Sequence, residues 1–383
     1  MTVDRAAVER RATALAALGR QMFSDPSLSA SGKMSCASCH SPGDAFGPPN
    51  ALAVQFGGKD MRQAGVRAVP SLMYLQAVPP FSEHYFESDD EGDESIDNGP
   101  TGGLTWDGRV DRGRDQAKIP LLSPFEMANA SVADIASELQ HTKYARDISL
   151  VFGEAIFVDP DKAFSAAVEA LEAYQQSYVE FYPYSSKYDA YLAGKAKLSD
   201  AERRGLLLFE EPAKGNCARC HISQRANDGT PPQFTDYGFV ALGVPRNMAI
   251  PSTRNPLYFD LGLCGPLRTD FRNELEYCGR FMTPTLRNVA IRRVFFHNGL
   301  VRTLREAVAF YAERDTRPDK WYPRDERGEV IKFNDLPAPY RANVEKDPPF
   351  GGHPGDPLPL SKSEIDDIVA FLRTLTDGYR PQQ

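Results

Sequence analysis

Two short stretches of this sequence, Cys36-Ala-Ser-Cys39-His40 and Cys217-Ala-Arg-Cys220-His221, share the pattern CxxCH. The spacing presents two thiols to the vinyl groups of a haem, and the histidine that follows is positioned to bind the iron. Half of a zinc site is the alternative, but zinc needs further Cys/His pairs, and none stands at zinc-finger spacing. The motifs therefore predict two covalent c-type haems, attached through Cys36, Cys39, Cys217 and Cys220, with His40 and His221 as iron ligands.

The residues ahead of each haem motif repeat. Both segments carry a glycine, a phenylalanine and a proline at the same spacing: Gly19, Phe23 and Pro26 in the first, and Gly205, Phe209 and Pro212 in the second. Alternation typical of strands is scarce, which favours a mostly α fold with long loops. We therefore expect two cytochrome-c-like domains, residues 1–185 and 186–383, each carrying one haem.

Helix start signals support this division. Ser199 with Glu202, Thr303 with Glu306 and Ser361 with Glu364 each have the spacing of a capping box. A further helix is predicted from Asp161 to about Tyr178. The last capping box opens a helix with one apolar face, formed by Ile365, Ile368, Val369 and Leu372, which we expect to pack on the second domain.

Composition narrows the class of protein. The 383 residues carry a net charge of −8, which argues against nucleic acid as a partner. No apolar run approaches the ~20 residues that a membrane span requires, and the N-terminal residues lack the apolar core of a signal peptide. Because c-type haem is attached outside the bacterial cytoplasm, a periplasmic location with a removed export signal is expected.

Two features stay open at the level of sequence. Cys264 and Cys278 stand in a loop that contains glycine and proline, and they form either a disulfide or two buried thiols. The run from Glu87 to Asp97 holds seven acidic residues and no basic one. It is either a solvated loop or a surface that binds a cation or a basic partner.

Several longer motifs resemble the bacterial dihaem cytochrome c peroxidase and MauG superfamily over nearly the whole chain. They are Trp106-Asp-Gly-Arg109, the set Gln116, Pro120 and Glu126, and the stretch "TPTLRNVAIRRVFFHNG" at 283–299 with the "TLREAV" that follows at 303–308. The resemblance implies that hydrogen peroxide reacts at the N-terminal haem, in a distal pocket that contains Gln116, Pro120 and Glu126. It also implies that Trp106 relays electrons between the haems.

Glu126 is the predicted acid–base group. Splitting peroxide heterolytically requires a group that takes a proton from one oxygen and returns it to the other, and a carboxylate in a pocket of low dielectric can do this. The alternative is that Glu126 helps to cap a helix and that Gln116 is a surface residue.

The sequence departs from the superfamily pattern at three places. Gly215 replaces the tryptophan that MauG-type proteins use as a surface exit for oxidising equivalents. The stretches Arg67–Ser71 and Arg292–Val294 lack the oxygen-donating side chains of the interhaem calcium site, so we predict no calcium there and a guanidinium, that of Arg292, in its place. No histidine stands between Ser41 and Glu83 to block the peroxide site, and His84 falls beyond the family's position.

Tyr311 decides between the remaining functions. Leu304, Ala307, Val308 and Tyr311 share one face of the helix that follows Thr303. Tyrosine on such a face is usually a core residue with a bonded hydroxyl. However, the resemblance places Tyr311 at the distal ligand position of the second haem, where the peroxidases have methionine and MauG has tyrosine. We therefore predict that Tyr311 ligates iron.

A His/Tyr haem is suited to storing an oxidising equivalent, because a hard, anionic phenolate stabilises high-valent iron. The favoured prediction is a MauG-like dihaem enzyme that forms a shared bis-Fe(IV) state and oxidises an unidentified substrate. The first alternative is a peroxidase that takes electrons from a small redox protein. The second is a dihaem electron carrier that is not an enzyme.

Overall fold

The computed structural model describes residues 4–86 and 97–381, and the chain divides into two compact units. The first unit comprises Met1–Asn50, Val54–Gln76 and Val110–Pro183, and the second comprises Ala51–Ala53, Ala77–Arg109 and Tyr184–Gln383. Of the acidic run, only Asp97 lies within the described residues. Within residues 4–86 and 97–381, no helix combines the length and the apolarity needed to cross a bilayer.

The first unit is helical, with one short hairpin. Its helices are α1 (Arg5–Phe23), α2 (Cys36–Cys39), α3 (Gly113–Leu122), α4 (Val132–His141), α5 (Ala145–Phe152), α6 (Pro160–Gln175) and α7 (Tyr178–Phe181). The hairpin pairs β1 (Phe56–Gly57) with β2 (Gln63–Ala64) in antiparallel register. The helix predicted from Asp161 to about Tyr178 corresponds to α6, which ends at Gln175.

The second unit has the same character. Its helices are α8 (Lys187–Leu192), α9 (Asp200–Glu210), α10 (Leu304–Glu313), α11 (Pro318–Trp321) and α12 (Lys362–Arg373), and β3 (Phe239–Val240) pairs with β4 (Phe281–Met282). Long loops connect these elements. The prediction of a mostly α fold is confirmed.

The sequence repeat is a repeat of helix crossings. A Cβ atom at Gly19 on α1 would collide with the backbone carbonyl of Ala170 on α6, and a Cβ at Gly205 on α9 would collide with that of Asp367 on α12. Each glycine therefore lets two helices pack backbone against backbone. The apolar face predicted for the last helix, Ile365, Ile368, Val369 and Leu372, is buried in this crossing.

An aromatic cluster fills the core beside each crossing. In the first unit, Phe23 contacts Phe46 with ring centroids 5.8 Å apart, and Tyr174 and Phe181 complete the cluster. The second unit has the corresponding cluster Phe209, Phe234, Phe371 and Tyr188. Edge-to-face pairs of this kind add to the free energy gained by burying the rings.

The division of the chain differs from the predicted contiguous domains 1–185 and 186–383. Residues 77–86 and 97–109 pack with the second unit, although they precede α3 of the first. Long-range hydrogen bonds hold them there: Met282 N–H donates to the Trp106 carbonyl at 2.9 Å, and the Arg268 guanidinium donates to the Asp107 carbonyl at 2.8 Å. Such long-range pairing leaves no local signal in the sequence.

The predicted caps form, with one difference. The reciprocal bonds of a capping box are present at Ser199 and Ser361. The Thr303 hydroxyl accepts from the backbone N–H of Glu306 and donates to the Glu306 carboxylate. In a complete capping box, that carboxylate would accept from the Thr303 backbone N–H instead. Cys264 and Cys278, for which the sequence allowed either a disulfide or two thiols, form a disulfide.

Candidate haem centres

The first CxxCH motif folds as a single helical turn, and two backbone carbonyls orient its histidine. His40 N–H donates to the Cys36 carbonyl at 2.9 Å, and His40 Nδ1 lies 3.0 Å from the Phe46 carbonyl oxygen. Because a carbonyl can only accept, Nδ1 carries the proton and the lone pair is on Nε2. A metal-binding histidine generally has this arrangement.

The second motif has the same geometry on different backbone. His221 N–H donates to the Cys217 carbonyl at 2.8 Å, and Nδ1 donates to the Phe234 carbonyl at 2.9 Å. Burial lowers the pKa of His221, so the neutral imidazole, the form that binds metals, is favoured. In both units the accepting phenylalanine has a positive φ, 51° at Phe46 and 55° at Phe234, and belongs to the aromatic cluster.

The four cysteines of the two motifs are free thiols whose surroundings favour the neutral form. Burial, reinforced at Cys36 by the neighbouring thiol, raises the pKa of Cys36 and of Cys39 to about 12. Burial has the same effect on Cys217 and Cys220. Zinc binds the thiolate form, which these surroundings disfavour. Within residues 4–86 and 97–381, no cluster of three or more His, Cys, Asp or Glu side chains could hold a metal ion. The two free cysteines of each motif, beside a histidine whose Nδ1 donates to a backbone carbonyl, fit covalently attached haem.

Glu126 lies near the first pair of cysteines. Its negative charge contributes to the raised pKa of both thiols, which places the carboxylate in their vicinity. Gln116 and Pro120 stand one turn apart on α3, and both are half-buried, as is Glu126. The turn that carries Glu126 is bonded to α3, since Met127 N–H donates to the Pro120 carbonyl at 3.0 Å. The three predicted distal residues thus belong to one continuous segment.

Two consecutive glycines that were not predicted as site residues, Gly57 and Gly58, hold this turn in place. Gly58 N–H donates to the Glu126 carbonyl at 2.7 Å. A Cβ atom at Gly57 would lie 2.7 Å from the Glu126 carbonyl oxygen and 2.9 Å from its Cα. Only glycine allows the β1–β2 hairpin to approach so closely. The consecutive glycines in "QFGGKD" were the available signal.

Tyr311 lies beside the second pair of cysteines. Burial and the Cys217 and Cys220 thiols raise its pKa, and the Arg314 guanidinium lowers it, so all three groups are near the phenol. No residue in the described part of the chain makes a hydrogen bond with the Tyr311 hydroxyl. By contrast, the buried Tyr322 hydroxyl donates to the Gly243 carbonyl at 2.6 Å.

Tyr311 packs against an aromatic ring, which in turn contacts a buried cation. The Phe350 ring stacks on Tyr311 with centroids 5.3 Å apart, and the Arg314 guanidinium lies 3.7 Å from the Phe350 centroid. Arg314 is 1% exposed and bonds the Asp315 carboxylate at 2.6 Å. It also donates to the Glu345 carbonyl at 2.6 Å. Phe350 was not predicted, because it meets Tyr311 only through the folding of a distant loop. Arg314 follows Tyr311 by three residues, at the end of α10, and was not predicted either.

Trp106 belongs to the second unit. Its carbonyl accepts from Met282 of β4, and the adjacent Asp107 is fully buried and paired with Arg109 at 2.8 Å. The structure thus fixes the backbone of this motif within one unit. The role of the indole as an electron relay stays a prediction.

The three departures from the superfamily pattern have structural counterparts. A Cβ atom at Gly215 would lie 2.5 Å from the Leu208 carbonyl oxygen, so this backbone excludes a tryptophan there. Burial lowers the pKa of Arg292 to about 10, so its guanidinium remains charged at neutral pH. His84 is exposed and its Nδ1 lies 2.6 Å from the Asp97 carboxylate. The absence of calcium stays a prediction.

Comparisons with known proteins agree on one group of enzymes. The family model for di-haem cytochrome c peroxidase matches residues 13–197. Methylamine utilization protein MauG of Paracoccus denitrificans is 35% identical over 382 residues, covering 96% of this chain and 90% of the relative. Cytochrome c551 peroxidase of Nitrosomonas europaea is 26% identical over 324 residues, covering 83% and 78%.

Solved structures give the same result. The diheme peroxidase BthA of Burkholderia thailandensis has a TM-score of 0.83 and 42% identity, covering 95% of this chain and 86% of that one. A variant of BthA in which one tyrosine is replaced by methionine has a TM-score of 0.85 and 41% identity, with the same coverage.

Proposed function

Because the chain belongs to the dihaem cytochrome c peroxidase and MauG family, whose members are enzymes acting on hydrogen peroxide, we propose that it is a MauG-like dihaem oxidase. It reacts with peroxide at the N-terminal haem, holds one oxidising equivalent at each haem, and passes them to a reducing substrate. The family implies two c-type haems, held here by Cys36, Cys39 and His40 and by Cys217, Cys220 and His221. Because the members of this family are enzymes, we do not propose the alternative of a non-enzymatic electron carrier.

The observation that carries this proposal is the position of Tyr311. Its hydroxyl lies near the Cys217 and Cys220 thiols and has no hydrogen-bond partner among the described residues. A haem held by those cysteines would offer the phenolate an iron to ligate. An anionic oxygen ligand favours the oxidised metal, whereas a methionine thioether raises the reduction potential. Tyrosine at this position supports storage of oxidising equivalents over rapid electron uptake.

The residues of the first unit supply the proton transfers. The haem, when bound, supplies the electrons that cleave the peroxide O–O bond. Glu126 takes a proton from one peroxide oxygen and returns it to the other, which leaves as water. The hairpin at Gly57 and Gly58 fixes the backbone of Glu126, and Gln116 and Pro120 form the adjacent wall. Trp106 is the proposed relay between the haems.

A plain cytochrome c peroxidase, which takes electrons from a small redox protein, is the second candidate. The similarity to the peroxidase of Nitrosomonas europaea favours it. The two functions differ in the oxidation state from which peroxide reacts. The MauG-like enzyme reacts when fully ferric, whereas a peroxidase with a blocked site requires prior reduction. The lack of a histidine between Ser41 and Glu83 supports the former.

One spectroscopic experiment tests the choice. One equivalent of hydrogen peroxide is added to the fully ferric protein, and the visible and near-infrared spectra are recorded. Long-lived changes at both haems support the MauG-like function. A reaction that occurs only after one-electron reduction establishes the peroxidase, and the absence of any reaction in either state refutes both.

We also propose a periplasmic location. Haem attachment to CxxCH occurs outside the bacterial cytoplasm, and the Cys264–Cys278 disulfide is the kind of bond that persists in oxidising compartments.

A further inference from the structure

A proline-walled cavity lies on the second unit, and Phe350, whose ring stacks on Tyr311, is one of its lining residues. Its volume is about 340 Å³, at the lower end of the range for sites that bind small molecules. Prolines and one phenylalanine supply most of its apolar wall: Pro348, Pro349, Phe350, Pro357 and Pro359. Rigid proline rings present flat C–H faces on which an aromatic ring can stack.

The two charged side chains of the cavity disfavour an anionic ligand. Lys214 Nζ is paired with the Glu364 carboxylate at 2.8 Å, so its positive charge is compensated. The Asp356 carboxylate accepts from the His353 backbone N–H at 2.7 Å, which leaves its negative charge in place. An anion would be repelled by Asp356 and would lose part of its hydration, whereas a neutral ligand meets no such cost.

Phe350 connects the cavity with the candidate iron ligand. It lines the cavity, and its ring stacks on Tyr311 with centroids 5.3 Å apart and planes at 29°. A ring bound in the cavity against Phe350 would therefore be linked to the Tyr311 phenol through a single aromatic side chain.

We propose that this cavity binds a small neutral phenol as the reducing substrate, which gives up one electron to the second haem centre through Phe350 and Tyr311. This inference rests on the proposed function and names its substrate class. Each phenol loses its O–H proton together with one electron and leaves as a phenoxyl radical. Two phenols and one hydrogen peroxide thus yield two phenoxyl radicals and two waters.

Substitution at the cavity rim tests binding without turnover. Ala213 lines the cavity and is exposed, so Ala213→Trp fills the space without disturbing a buried side chain. Ala193→Trp, at another exposed alanine of the second unit that does not line the cavity, is the matched control. The ferric holoprotein is titrated with 4-methoxyphenol, followed by ligand-observed NMR. The dissociation constant is expected to rise at least tenfold in Ala213→Trp and to stay unchanged in Ala193→Trp.

A charged analogue tests the selectivity. 4-Hydroxybenzoate has a similar ring and an anionic carboxylate, and we expect it to bind at least tenfold more weakly than 4-methoxyphenol. Absence of saturable binding to the wild-type protein, equal affinity in the two tryptophan variants, or tighter binding of the anion would overturn the proposal.

Turnover separates this inference from the proposed function. The reaction of peroxide with the wild-type ferric haems, measured without phenol, tests the proposed function alone. When phenol is then added, its oxidation should have a kcat/KM at least tenfold lower in Ala213→Trp than in Ala193→Trp. A normal haem reaction with equal kcat/KM in both variants rejects the cavity as the substrate site and leaves the proposed function intact. A failed haem reaction in the wild-type protein rejects the proposed function and, with it, the phenol's role as electron donor.

Discussion

Phe350 stacks on Tyr311 at a centroid distance of 5.3 Å, although 39 positions separate them in the chain (350 − 311). The contact fixes one side of the phenol, while the Cys217 and Cys220 thiols lie near it. A tyrosine held in this way can reach an iron with little loss of side-chain entropy on binding.

Replacing Tyr311 with Met should raise the reduction potential of the second haem. A neutral thioether stabilises the ferrous state relative to a phenolate, and axial ligands move haem potentials over ~0.8 V, so we expect a rise on the order of 100 mV. Spectroelectrochemical titration measures it. Tyr322→Phe is the control: it removes the hydroxyl that donates to Gly243 and should cost about 1 kcal/mol of stability without altering the haem spectrum. An unchanged second-haem potential in Tyr311→Met would show that Tyr311 is a core residue.

Replacing Glu126 with Gln should slow the reaction with peroxide. The amide cannot take up and return a proton, and a positioned acid–base group contributes roughly 10²–10⁴-fold to rate. Stopped-flow mixing of the ferric protein with peroxide measures the rate constant. Glu138→Gln, at an exposed carboxylate on α4, should leave it unchanged. Equal rates for the Glu126 variant and the wild-type protein would reject the acid–base role.

Replacing Gly57 with Ala should also slow the reaction with peroxide, by displacing the backbone that carries Glu126. The added Cβ would lie 2.6 Å from the Phe125 carbonyl oxygen and 2.9 Å from the Glu126 Cα, so the turn must shift. Misplacement of a catalytic group by about 1 Å can cost roughly 10²-fold in rate. Gly43→Ala is the matched control, because the nearest atom to its Cβ would be the Ser41 hydroxyl at 3.8 Å. The same stopped-flow assay applies, and equal rates in the two alanine variants would argue that the hairpin does not position Glu126.

The Arg287–Asp189 pair should make the stability of the second unit dependent on pH. Arg287 donates to both carboxylate oxygens, at 3.0 and 2.9 Å. Burial alone would raise the pKa of Asp189, but the hydrogen bonds and charge of Arg287 outweigh burial and lower it. Because the pKa is lower in the folded state, the stabilisation is complete above the unfolded value of ~3.9 and is lost as the pH falls through the folded value.

Replacing Asp189 with Asn tests this pair. It leaves Arg287 buried without its partner and should cost about 3–5 kcal/mol at pH 7. The difference from the wild-type protein should shrink below about pH 4, as measured by denaturant titration followed by circular dichroism. Asp366→Asn breaks an exposed pair with Arg305 and should cost no more than about 1 kcal/mol at any pH. If the stability difference between Asp189→Asn and the wild-type protein did not change with pH, the proposed dependence on the ionisation of Asp189 would be contradicted.

Metal analysis tests the predicted absence of interhaem calcium. The purified protein should contain two irons and only substoichiometric calcium, because the oxygen-donating side chains of the family site are missing and Arg292 brings a positive charge. Prolonged treatment with a chelator should leave the haem spectra unchanged. One stoichiometric calcium, with spectra that change on its removal, would refute this prediction.

Local chemistry was readable from the sequence. The CxxCH motifs predict covalent attachment and a proximal histidine within five residues, and the structure adds the Nδ1 hydrogen bonds that orient His40 and His221. Gly19 and Gly205 were recognisable as a repeat because helix crossings impose the same steric demand twice. Capping boxes were readable for a similar reason, since both partners lie within one turn.

The sequence by itself indicated two sites for covalent haem and a duplicated unit, because thioether spacing, helix caps and close-packing glycines are written within a few residues of one another. Only the tertiary structure decided that residues 77–86 and 97–109 join the second unit and that Phe350 packs on Tyr311. Those outcomes depend on backbone pairing and ring packing between segments far apart in the chain, whose free energies appear only when the loops have closed.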